Sequence, residues 1–168
     1  MADNATMSRL VGIGTPVVLM LTLASVSYAV GQQGRAPGGV ERRVIQPAGY
    51  KPSPAPLVPA ILVGDTLYLS GSTGGDPATG LLVSGGLEGE TKQIFSNIQT
   101  VLKAAGMTLN DVVATTVYLT EMSDYARFNE LYRSYFDDGR FPTRSAVAVK
   151  ELARGARVEL TMTAVRSK

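Results

Sequence analysis

The chain has 168 residues, 45% of them apolar, which is enough for one domain with a substantial core and short for two. It contains neither cysteine nor histidine, so a disulfide framework, a thiolate metal site, the usual general base and the commonest transition-metal ligand are all excluded. A net charge of +2, with sixteen basic residues scattered rather than clustered, lacks the electrostatic footprint of a nucleic-acid binder.

No residue from Leu10 to Gly34 is charged, and "VVLMLTLASV" is the most apolar part of that run. Arg9 precedes it, and "SVSYA" places Ser27 and Ala29 at small-residue positions. The pattern is that of a secretory signal over residues 1–29, cleaved after Ala29, which makes the mature protein periplasmic or secreted and free of the membrane. An uncleaved membrane anchor is the alternative, because the uncharged run reaches about 20 residues. Residues 30–53 are rich in Gly and Pro and read as a linker with an extended approach to the domain at 54–168, the folded unit beginning near Val44.

"LVPAILVGDTLYLSG" holds two short β-rich runs around Gly64 and Asp65, a dipeptide suited to a tight hairpin turn. A glycine-rich loop follows; without a Gly-Lys-Ser/Thr it is no phosphate cradle. Ile94, Ile98, Val101, Leu102 and Ala105 then recur at helical spacing, predicting a helix from about Leu87 to Ala105 with Gly106 as its stop. "DVVATTVYLTEM" alternates and is β-branched, a third strand. Ser123 is the expected cap of a second helix through about Phe136, with Tyr125, Phe128, Leu131, Tyr132 and Tyr135 turned inward. "FPTRSAVAVKELARGARVELTMTAV" supplies two last strands. The order β-β-α-β-α-β-β describes an α+β fold with both helices on one face of the sheet. Ala146, Ala148, Val117 and Leu160 suggest a sheet apolar on both sides, hence an oligomer that covers the second face.

Both strands of the final stretch carry a charge. If they form a hairpin turning in "KELARG", Arg144 falls opposite Glu159 or one step diagonal to it. One reading is a structural pair, worth about 0.2 to 1 kcal/mol across a ladder. The other is an anion site, in which the rigid guanidinium fork grips a carboxylate and the glutamate holds a water for attack.

"APLVPAILVGDTLYLSG", "DPATG", "IQTVLKAAGMTLNDVVATTVYLTEMSDYARFNELYRSYF" and "FPTRSAVAVKELARGARVELTMTAV" resemble the RidA (YjgF) family of reactive-intermediate deaminases over about Pro54 to Arg166. The resemblance implies a chorismate-mutase-like homotrimer with three sites between subunits and no cofactor or metal. It implies hydrolysis of 2-imino or enamine acids such as 2-aminoacrylate to 2-keto acids and ammonium. Arg144 then clamps the substrate carboxylate and Glu159 positions the attacking water, while Ser70, Gly71 and Ala146 line the pocket. Asn129 and Tyr118 also match, read here as a structural hydrogen bond and a core aromatic. Where the family commonly shows "GPYSQA", this chain has "APLVPA", so Leu57 replaces a pocket tyrosine; Ser72 replaces a usual glutamine. A non-catalytic trimer that binds small carboxylates or protein partners is the alternative of another class. The RNA cleavage attached by name to some relatives finds neither a basic patch nor a histidine pair.

Overall fold

The computed structural model describes residues 39–52, 55–137 and 139–167. The signal-or-anchor segment lies outside them, and among the described residues no helix is long and apolar enough to cross a membrane. The strands are β1 (Arg42–Ile45), β2 (Ala60–Val63), β3 (Thr66–Leu69), β4 (Ser72–Thr73), β5 (Val112–Leu119), β6 (Thr143–Ala148) and β7 (Val158–Val165). Two helices, α1 (Gly86–Ala104) and α2 (Tyr125–Arg133), complete the α+β architecture. β1 falls in the stretch read as linker, which joins the sheet by pairing with β2.

Local signals in the sequence act where they stand. Gly64 takes φ +59 in the two-residue turn between β2 and β3, and it is the only one of the Gly64–Asp65 pair with positive φ. α1 ends where Gly106 adopts φ +71, with the Gly106 amide donating to the Lys103 carbonyl and the Met107 amide to that of Leu102. Ile94, Phe95, Ile98 and Leu102 face the core from this helix. α2 begins later than expected, after a short turn at Met122–Asp124, and Ser123 does not cap it. Asp124 instead receives three hydrogen bonds of 2.8 to 3.1 Å from the Arg157 guanidinium.

The sheet order is β1-β2-β3-β7-β5-β6, with β4 paired to β7. This overturns the expected terminal hairpin, because β5 lies between β6 and β7. Val117 and Leu119 of β5 are fully buried, so this strand takes the position paired on both edges. α2 then carries the chain back to the far side of β5, and a return by way of a helix makes β6 parallel to it. All other pairings are antiparallel.

The register also corrects the argument for a covered second face. Val117 pairs with Leu160 and Ala146, and Ala148 with Leu119, so all four residues share the helix-covered side. The opposite face carries Thr116, Thr161, Thr163 and Ser145, with Tyr68 and Val147 exposed among them.

Candidate active site

Because β-strand side chains alternate, the register decides where the two expected catalytic groups point. Arg144 aligns with buried Thr115 on the helix side, whereas Glu159 aligns with Tyr118 on the open side. Within one chain they are two strands apart and on opposite faces, so neither the ladder pair nor a site shared by both exists there.

Arg144 sits in a cage built by α2. Its guanidinium stands 4.6 Å from the Tyr132 ring centre, 5.7 Å from that of Tyr125 and 5.8 Å from that of Phe128. These residues, with Asn129, recur at helical spacing in "YARFNELY", which places them on one side of α2. Nη2 donates to Asn129 Oδ1 at 2.5 Å and to the Tyr125 hydroxyl at 3.4 Å. Tyr132 in turn donates to Thr115 Oγ1 at 3.1 Å, and burial pushes its phenol above the ordinary value. Ring faces attract a cation without neutralising it, and no carboxylate pairs with Arg144 among the described residues. A cavity of about 360 Å3 opens here, with Arg133 and Phe141 on its wall and Ala146 two positions along β6. The cavity therefore offers two cations to an anion. Asn129, read as structural from sequence, holds the arginine itself; Arg133 gave no signal in the sequence.

Glu159 belongs to a second group. Gly71 passes so close that a Cβ there would stand 1.9 Å from Glu159 Oε1. The carboxylate is half-buried, accepts no hydrogen bond among the described residues, and is pushed above the ordinary glutamate value by that burial. Ser70 adjoins Gly71, but its hydroxyl donates to the Val58 carbonyl at 2.6 Å and so ties down the preceding loop. That loop carries Leu57, which is 51% exposed. Tyr118, expected in the core, instead stands beside Glu159 on the open face. The structure thus brings Ser70, Gly71, Glu159 and the Leu57 loop together, and separately Arg144 with Ala146. Among the described residues no cluster of acidic side chains could hold a metal ion.

A family model described as endoribonuclease L-PSP matches residues 50–166. A mouse protein named 2-iminobutanoate/2-iminopropanoate deaminase is 43% identical over 125 residues, 74% of this chain and 92% of its own length. The human protein of the same name is 42% identical over 125 residues, 74% of this chain and 90% of its own. A crystal structure of a Rid-family protein of unknown function from Yersinia pestis is similar with a TM-score of 0.71 and 35% identity, covering 75% of this chain and 100% of that one.

Proposed function

The chain belongs to the YjgF/RidA family, and on that premise we propose that it hydrolyses 2-imino acids and their enamine tautomers to 2-keto acids and ammonium. One observation carries the reading: a guanidinium with no carboxylate partner among the described residues and a half-buried carboxylate stand on separate faces of one sheet. Relatives at 42 to 43% identity bear the corresponding deaminase name.

Arg144 binds the substrate carboxylate through its guanidinium fork. A water held by Glu159 adds to the iminium carbon; its oxygen forms the new C–O bond, its proton passes to the carboxylate, and the C=N electron pair moves to nitrogen. Glu159 returns that proton to the carbinolamine nitrogen. Collapse of the hydroxyl to a carbonyl breaks the C–N bond, and the hydroxyl proton leaves through Glu159 with the departing ammonia as ammonium. Burial that raises the glutamate's proton affinity makes it a better base for the first step. An iminium carbon is already electrophilic, so placement and a preorganised water suffice without metal or cofactor.

Opposite faces require a second copy. Different surfaces of each chain must meet, Arg144 of one against Glu159 of the next, and such head-to-tail contacts close into rings. The homotrimer implied by the family resemblance is one such closed ring, with one composite site per chain. Export belongs to the same reading and rests on the uncharged run before the domain; the mass of the mature protein checks cleavage after Ala29.

The test mixes two separately inactive chains, Arg144→Ala and Glu159→Gln, through dissociation and reassembly. Loss of 2-aminoacrylate generated by a dehydratase is then timed. Random reassembly restores about a quarter of the sites, because the intact halves come from different chains. Absence of recovery overturns the composite site, and wild-type rates in either single variant overturn the chemistry. Binding of 2-ketobutyrate through Arg144 with background turnover would instead identify a carboxylate-binding member without catalysis.

A further inference from the structure

A cleft of about 600 Å3 shares no lining residue with the Arg144 cavity and lies between the Pro47–Lys51 loop, the 71–80 segment and one side of α1. Small-molecule sites run from about 300 to 1,000 Å3, so its size is suitable. Several polar groups on its wall are already engaged. Asp76 Oδ1 accepts from the Ala78 amide at 2.8 Å, the Asn97 amide donates to the Gly75 carbonyl at 2.8 Å, and the Thr100 hydroxyl donates to the Ser96 carbonyl.

Asp76 keeps its negative charge, and against it stand two cations, so the lining carries a net positive charge. Lys51 and Arg154 line the cleft, and among the described residues neither is paired with a carboxylate. Arg154 adopts φ +61, a left-handed conformation unfavourable by about 1 to 2 kcal/mol for a residue with a side chain. Its guanidinium donates to the Gly80 carbonyl and lies 3.3 Å from where a Cβ on Gly75 would stand. A bare Gly75 thus leaves room for it, and most of its five donors remain unspent. Tyr50, Pro59 and Val101 give the cleft an apolar wall beside these cations.

We propose that the cleft is a second small-molecule site, for an organic carboxylate with an aromatic or branched aliphatic body. Lys51 and Arg154 meet its carboxylate, and Tyr50, Pro59 and Val101 meet its body. A neutral ligand of the same shape forgoes both charge-assisted contacts, so the site discriminates by charge. It needs neither Arg144 nor the other residues of that cavity, and it meets the Glu159 group only at Gly71.

Calorimetric titration of the full chain with 3-phenylpropionate, and with the neutral 3-phenylpropionamide, tests this. Arg144→Ala, which lacks the carboxylate clamp of the first cavity, should still bind the carboxylate at the cleft. Lys51→Ala and Arg154→Gly should each weaken it about tenfold, the loss expected for one charged contact. Glycine suits the left-handed backbone, so Arg154→Gly removes the guanidinium without straining the loop, and an unchanged thermal melt verifies the fold. Arg154→Lys should recover part of the affinity. Failure of wild type to bind, equal binding of the amide, abolition by Arg144→Ala, or indifference to both Lys51→Ala and Arg154→Gly overturns the proposal.

Discussion

A Gly71→Ala substitution separates the position of Glu159 from the integrity of the fold. The new Cβ would stand 1.9 Å from Glu159 Oε1 and 3.0 Å from Cδ, so only the outer oxygen collides seriously. Restoring an ordinary contact of at least 3.0 Å moves that oxygen by about 1 Å. A carboxylate can turn aside by that much for about 0.5 to 1.5 kcal/mol of rotamer strain. Gly71 has no positive φ, so alanine also narrows the unfolded ensemble and returns about 0.4 to 1 kcal/mol. The two effects nearly cancel, and the melting temperature should stay within about 4 °C of wild type. Catalysis has no such compensation: a reacting group misplaced by about 1 Å costs about 100-fold. The assay is kcat/KM for 2-aminoacrylate loss beside a thermal melt of the same sample. Wild-type turnover would refute the placement of Glu159 in the chemistry; a melt lowered well beyond the stated margin would show that Gly71 serves the fold instead.

Asn129→Ala should raise KM about tenfold by freeing the guanidinium, and Asn129→Asp should raise it further, because a carboxylate there pairs with Arg144 and competes with substrate; steady-state kinetics on both variants checks the order. Burial raises the Glu159 carboxyl, so the folded state holds this proton more tightly than the unfolded chain does. The associated stability is fully present below the unfolded-state value and is lost as pH rises through the folded one. Chemical denaturation should therefore find Glu159→Gln more stable than wild type at neutral pH and equal to it in acid, while the acidic limb of kcat/KM in wild type falls above the ordinary glutamate value. Gly74→Ala puts a Cβ 2.6 Å from both Cα and Cβ of Glu90, atoms fixed in α1, and should destabilise by about 1 to 3 kcal/mol in denaturant unfolding.

The sequence by itself determined what lies within an element's own length. Apolar spacing gave α1 to within a residue at each end, and Gly64 and Gly106 marked a turn and a stop because few other residues accept their backbone angles. Tyr125, Phe128 and Tyr132 were legible as one side of α2, and Arg144 and Glu159 as the groups able to do chemistry in a chain without histidine or cysteine. Strand order was not legible. The last two strands are joined by a short connection that suits a hairpin, yet β5 separates them. Alternation along a strand is a local property, whereas its neighbours are chosen by which strand loses most from an open edge, and that depends on every strand at once. The tertiary structure alone decided that the guanidinium would rest among α2 rings, that Glu159 would lie against Gly71, and that the sheet would stand between them.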